Sequence, residues 1–347
     1  MSNNLNKIQL FIIESIPNHS KDLVKFVAKK FKISPQGVHK HLIPLINEKK
    51  VLKSGNTRNT LYTLPSSEKS RVMAAANWTY PVNDQIGEQE IWDTTLKPKL
   101  ESLKENVKDI VEYGFTEMVN NVKDHSQAKQ LLVSYKIIDE TLHLKVQDNG
   151  IGIFRKIRES LGLPTLREAI LDLSKGKLTT DHTRHSGEGI FFSSRVFDQF
   201  VLTANGLSYV RLNTELDEDW LIGDEVDEGG TSVAMSIALN SNRTREEVFR
   251  KFTSNEDFSF SKTHVAIELG LLAGETYVSR SQAKRILSGL ERFRFIVLNF
   301  KRVKSVGQGF VDEVFRVFKN AHPDIQIDVT NTNESVDFMI RRGLGSK

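Results

Sequence analysis

The 347-residue sequence contains no cysteine. Disulfides, thiolate zinc sites and cysteine nucleophiles are therefore excluded, and the composition fits a reducing compartment. Long hydrophobic runs are missing too: nothing approaches the roughly 20 consecutive apolar residues that a bilayer-crossing helix needs. The first residues, MSNNLNKIQL, have neither the basic n-region nor the apolar core of an export signal. These absences lead us to expect a cytoplasmic protein without membrane contact. What is present, 39% apolar and 27% charged residues, is the composition of a globular protein, and the length implies two or three domains.

The net charge of +4 is unevenly spread. Residues 1 to 64 hold eleven lysines and arginines against three acidic residues, so the rest of the chain is net acidic. A basic block at one end of a mildly acidic chain points to a nucleic-acid contact confined to that end, or to a solvated lysine-rich surface. The pattern favours the first. Leu5, Ile8, Ile12 and Ile13 recur at helical spacing, as do Leu23, Val24, Val27, Ala28 and Phe31. Ser34 is placed as an N-cap with Pro35 at the first position of a third helix. Pro44 falls inside this helix, where it removes a backbone bond and predicts a kink. VLKSGNTRNTLYTL then reads as two short strands around a Gly55-Asn56 turn.

Three helices and a hairpin in this order resemble the winged helix-turn-helix family, over residues 1–66. The resemblance implies contact with double-stranded DNA, with Gln36, His39 and Lys40 of the third helix facing the major groove and Arg58 on the wing. Residues 67–89 lose clear periodicity and read as a linker.

Three segments carry the central chemistry. FTEMVNNVKDHS continues a helix whose apolar face comprises Ile110, Val111, Phe115, Met118, Val119 and Val122. Glu117 and Asn121, four residues apart, project from one side of it, with Asp124 near the same face. A carboxylate can take a proton from a water or hydroxyl, and an amide oxygen can complete the shell of a phosphate-bound Mg²⁺. LHLKVQDNGIGIF is an alternating strand ending in Asp148, Gly150 and Gly152: an acceptor for an exocyclic amine and a chain able to turn tightly against a flat base. TRHSGEGIFFSSRVFD places Gly187 and Gly189 at the opening of an apolar helix, where backbone N–H groups and the helix dipole favour phosphate.

Each segment alone is commonplace, but their order resembles the N box and glycine boxes of the gyrase, Hsp90, histidine-kinase and MutL superfamily (GHKL) of ATP-binding folds. A later strand, GGTSVAMSI, matches the closing strand of that superfamily at Gly230 and Thr231. The resemblance covers about residues 90–242. It implies a Bergerat-type α/β sandwich with helices on one face of a mixed sheet. It also implies ATP and Mg²⁺ as ligands: Asp148 on the adenine amine with Thr231 assisting through water, Gly150 and Gly152 beside the base, Asn121 on Mg²⁺, Asp124 nearby, Gly187 and Gly189 beside the triphosphate, and residues 154–186 as a mobile lid. Histidine kinases of the superfamily usually carry Asn at the position of Glu117; its ATPases and anti-sigma serine kinases carry Glu, which argues for deprotonating water or a hydroxyl.

From residue 255 to 347 strands alternate with helices, Ser279 being placed as a helix cap, so a small α/β domain with its own core is expected. Its centre, IVLNFKRVKSVGQGFVDEVF, resembles the STAS-like domains, relatives of the antagonists that anti-sigma kinases phosphorylate. The acceptor serine of those antagonists corresponds to Val306 here, with Ser305 beside it, which favours docking of a protein partner or a second copy over phosphorylation. The sequence thus reads as a multidomain α+β protein and an ATP-dependent, DNA-binding regulator in which Mg-ATP binding and hydrolysis switch how the winged-helix and STAS-like modules are presented to DNA or to a partner. A serine protein kinase of the anti-sigma type and a non-hydrolysing nucleotide-binding scaffold are the alternatives.

Overall fold

The computed structural model describes residues 7–47, 50–54, 61–64, 72–83, 87–178, 187–213, 218–223, 226–254, 259–270 and 276–345. The chain forms two compact units, residues 1–71 and 72–347. Among the described residues no helix is long and apolar enough to cross a membrane.

In the first unit, α1 (Lys7–His19), α2 (Leu23–Phe31) and α3 (Pro35–Asn47) precede an antiparallel pair, β1 (Leu52–Ser54) and β2 (Leu61–Thr63). Ile12 and Ile16 of α1 meet Leu23 and Val27 of α2 and Val38, Leu42 and Leu45 of α3, so the three apolar stripes close one small core with Val51 and Tyr62. The α2–α3 turn is locally encoded. Lys32 takes a left-handed conformation that ends α2, and the Ser34 hydroxyl accepts the Gly37 N–H at 3.1 Å, capping α3 with Pro35 in its first turn. The helix runs on through Pro44 to Asn47. The Gly55-Asn56 turn lies outside the described residues.

The second unit begins with β3 (Val72–Pro81), then α4 (Glu88–Thr95), α5 (Glu105–His125), β4 (Gln130–Ile138), β5 (Thr141–Asp148), α6 (Ile153–Leu161), α7 (Leu166–Lys175), α8 (Gly189–Val196), β6 (Gln199–Ala204), β7 (Leu207–Leu212), β8 (Glu218–Gly223), β9 (Thr231–Ala238) and α9 (Arg245–Phe252). The seven strands form one sheet in the order β3-β4-β5-β9-β6-β7-β8. Every neighbouring pair is antiparallel, which corrects the expected mixed sheet. Two of these pairings, β4–β5 and β6–β7, are set by tight hairpin turns: Asp139-Glu140 and Asn205-Gly206 have positive φ, the conformation of two-residue connections. Strand β3 corrects the expected linker at 67–89. Ala74, Ala76, Trp78 and Tyr80 face inward, and the strand pairs with β4 from Val72 to Pro81. Its alternation is masked in sequence because alanine is nearly neutral in a hydrophobicity count.

One face of the sheet is buried under α5. Leu131, Val133, Leu142, Leu144, Val146, Val233 and Met235 alternate with more exposed, mostly polar residues and pack with Val107, Val111, Phe115, Met118 and Val122 of the helix. A second sheet, β10 (Lys262–Ala266), β11 (Phe295–Asn299) and β12 (Gln326–Thr330), is wholly parallel in that order. Its helices are α10 (Arg280–Leu287), α11 (Gln308–Asp312), which continues through π-helical turns into α12 (Lys319–Ala321), and α13 (Glu334–Gly343). Ser279 does cap α10, in a reciprocal box with Gln282. The expected separate core is corrected: buried residues from Ile91 to Ile340 form one continuous cluster. The joint is aromatic, with Phe191 packing against both Phe252 and Phe260, and Phe260 against Phe293.

Gly114 of α5 lies where a Cβ would collide with the Phe197 ring and crowd Met235 Sδ. Gly114→Val is expected to destabilise this unit by about 1–3 kcal/mol through overpacking, read as a lower urea midpoint at unchanged slope.

Candidate functional site

Helix α5 has two faces. Its apolar face is fixed against the sheet, which leaves Tyr113, Glu117, Asn121 and His125, spaced by four, to line a cavity of about 410 Å³. Asp148, the last residue of β5, closes another side, with Gly152, Ile153, Lys156 and Ile157 following it; Leu173, Leu178, Gly187, Glu188 and Gly189 form a third wall, and Thr231 and Val233 a fourth. Seven of the residues singled out in the sequence therefore meet here: Glu117, Asn121, Asp148, Gly152, Gly187, Gly189 and Thr231. Asp124 and Gly150 do not line the cavity. Gly150 instead packs under the C-terminal end of α5, where a Cβ would strike the Ser126 carbonyl.

Asp148 is only 5% exposed. Its carboxylate accepts the Gly150 N–H at 2.7 Å and bonds from the N–H and hydroxyl of Thr231. The Thr231 hydroxyl in turn accepts the Ile153 N–H at 3.1 Å, which orients it. Burial pushes the Asp148 carboxyl above the usual carboxylate range, against the pull of these bonds. The loop that follows is held rigidly. Asn149 Oδ1 accepts the N–H groups of Lys129 and Gln130, and Asn205 bonds Ile151 O and the Arg155 N–H. Gly152, at φ +83°, lies so close to the Asn205 amide that a Cβ would overlap it.

At the other end, Glu117 is pressed against Gly189; a side chain at that position would occupy the space of the Glu117 carboxylate. The Asn121 amide nitrogen is buried with no hydrogen-bond partner among the described residues, an unfilled polar group of the kind that a ligand satisfies. Tyr113 is held by an edge contact with Phe249, and its phenol is raised by burial and then by Glu117.

Tyr113, Lys156 and Glu188 were not foreseen as site residues. Tyr113 was legible, one helical turn before Glu117, and Glu188 lies in plain view between the two glycines. Lys156 depends on how α6 folds back, which no local pattern gives. Of the segment expected as a lid, residues 154–186, α6 and α7 bury Phe154, Ile157, Ala169, Ile170, Leu171 and Leu173, while 179–186 lies outside the described residues. Among the described residues no group of three or more His, Asp and Glu side chains could hold a metal by itself.

On α3, Gln36 and Lys40 are exposed and His39 half-buried, on the side opposite Val38, Leu42 and Leu45. Arg58 lies outside the described residues. Near the C-terminus Val306 is buried and bridges to Tyr277, whose carbonyl accepts the Gly307 N–H at 2.6 Å. Ser305 is half-buried beside this covered turn.

The family model described as a STAS-like domain of unknown function (DUF4325) matches residues 282–337. The C-terminal part is STAS-like. No curated protein matches the chain. The STAS-like match takes in most of α10 and all of β11, α11, α12 and β12, the second parallel connection of the small sheet.

Glu188 is half-buried, and burial raises its carboxyl above the ordinary value of 4.5, against the field of Lys177. Its ionised form is therefore penalised in the fold: the cost is present at neutral pH and absent below the ordinary carboxyl range, where both folded and unfolded chains are protonated. Glu188→Gln is expected to raise the urea midpoint at pH 7, with the gain over the parent closing as pH falls from the raised folded range toward 4.5.

Proposed function

We propose that the cavity binds ATP with Mg²⁺ and that the protein is an ATP-dependent regulator contacting double-stranded DNA through its N-terminal unit. The observation that carries this reading is the meeting of Glu117, Asn121, Asp148, Gly152, Gly187, Gly189 and Thr231, drawn from four separate stretches of sequence, around one cavity of about 410 Å³. That convergence supports the resemblance of residues 90–242 to the GHKL superfamily and a Bergerat-type site.

The residues present fit the ligand. Asp148, a buried acceptor steadied by Thr231, suits an exocyclic amine. Asn121, with its unsatisfied amide nitrogen, suits a phosphate oxygen, and Gly187 and Gly189 border the same cavity, packed against the Leu178 backbone and the Glu117 carboxylate. Glu117 and Glu188 bring two carboxylates to the cavity that Lys156 also lines, so a polyphosphate needs its divalent cation to enter. Mg²⁺ when bound would neutralise that charge. Glu117 is the group suited to accept a proton from a water or hydroxyl; the same pairing of carboxylate and amide serves hydrolysis and hydroxyl phosphorylation alike.

Hydrolysis is favoured over phosphorylation of Ser305 in the same chain, because the turn at 305–307 is bridged by Tyr277 and its equivalent acceptor position is a buried valine. A serine kinase acting on another protein, or a scaffold without turnover, would be recognised by its products: phosphoprotein in the first case, and bound nucleotide with neither product in the second. In the N-terminal unit, the resemblance to winged helix-turn-helix proteins and the exposed Gln36 and Lys40 support major-groove contact.

Two measurements test the reading. Glu117→Gln is expected to retain ATP and lose phosphate release by about 10²–10⁴-fold, the usual worth of a general base; unchanged turnover would exclude the role. Lys40→Ala is expected to weaken binding to generic duplex DNA and to lower the dependence of log K on log salt by about one unit. An unaltered slope would remove Lys40 from the phosphate contacts.

A further inference from the structure

The third wall of the cavity is not self-supporting. It ends in Lys175-Gly176-Lys177, flanked by Leu173 and Leu178, both of which line the cavity. Lys175 is 2% exposed. Its ammonium bonds Asp172 Oδ1 at 2.5 Å, Arg285 O at 3.2 Å and Ser288 O at 2.8 Å. All three of its donors are thus used, two of them on carbonyls at the C-terminal end of α10 in the STAS-like part. A buried ammonium persists only with such partners, so the carbonyls are a condition of the wall's position.

Lys177 adds a second pin. Its Nζ donates to Arg292 O at 2.9 Å, while Arg292 Nη1 donates back to Lys177 O at 2.9 Å, and Lys177 lies over the Phe293 ring at 4.9 Å. Thr263 Oγ1 donates to Lys175 O at 2.6 Å from β10, and Arg285 pairs with Glu168 of α7. Between the pins, Gly176 is packed against Phe260 and Phe191, and Gly187 rests on the Leu178 backbone. No element of this wall can shift without moving either a saturated ammonium or a close-packed ring.

We infer that Lys175 and Lys177 are positioning residues of the cavity, and that through them the STAS-like part sets the affinity of the cavity for its ligand and registers whether it is filled. This rests on the reading of the cavity as a nucleotide site and names the regulator of that site: the chain's own α10 and the segment that follows it, residues 285–293. Coupling of this kind is reciprocal. A ligand that orders Leu173 and Leu178 must tighten the carbonyl contacts at 285–288, and a partner that displaces α10 must loosen ligand binding by the same factor.

The test uses the full chain with Mg²⁺ and a non-hydrolysable ATP analogue, and combines calorimetry with amide hydrogen exchange. In the parent protein the analogue is expected to slow exchange across 283–293, none of which lines the cavity. Arg292→Ala and Lys177→Ala, both at partly exposed positions, are expected to raise the Kd at least fivefold, within the usual range of a coupling between sites, and to abolish the ligand-induced protection. Lys175→Met is expected to exceed them, and if it fails to fold the two milder variants carry the test. Binding by the parent with unchanged exchange at 283–293 and with variant affinities within twofold overturns the inference and leaves the nucleotide reading intact, even if the variants melt earlier. Absence of binding by the parent overturns both.

Discussion

The packing of α5 against the sheet governs most of what the second unit does. A helix with one wholly apolar face has no freedom to rotate once that face meets Val133, Leu144 and Met235, and its remaining side then has a fixed address. Tyr113, Glu117 and Asn121 gain their common orientation from a packed face that includes Val133, Leu144 and Met235, none of which lines the cavity. Gly114 is a point of close approach, with room for no side chain between α5 and Phe197 and Met235, and it lies one residue from Tyr113 and three from Glu117. Core and site are in this sense written into alternate positions of the same 21-residue helix.

Much of the site was readable because its parts obey local rules. Asp148 ends an alternating strand, Glu117 and Asn121 share a helical face, and the glycines at 187 and 189 precede an apolar helix. The N-terminal unit was equally local: Ser34 and Pro35 mark the start of α3, and the apolar spacing of α1 and α2 is plain. What escaped the sequence is nonlocal. Strand β3 hides in Ala74, Ala76, Trp78 and Tyr80, where small residues suffice because the strand sits at the edge of the sheet. The all-antiparallel order was foreshadowed by Asn205-Gly206, a turn signal easily passed over beside richer motifs.

The C-terminal part illustrates a different limit. Alternating strands and helices made its topology legible, and Ser279 marked the start of α10. Nothing in that pattern reveals that its core joins that of the larger sheet through Phe191, Phe252, Phe260 and Phe293. Aromatic side chains in a sequence declare that they will be buried, not against which neighbour. Lys175 is the sharper case: a lysine at the end of a helix reads as solvated, and only the carbonyls of Arg285 and Ser288, more than a hundred residues away, make its burial tolerable.

The continuous aromatic joint bears on how such a chain can be divided or recombined. A segment ending near residue 254 would leave Phe191 and Phe252 with bare ring faces, and one beginning at 259 would leave Phe260 and Phe293 in the same state. Each half would carry a sticky apolar surface to the other's absence. Exchange of the STAS-like part for a distant relative therefore requires matched changes on α8 and α9, so that these stretches of sequence are constrained to vary together although their local structures are independent.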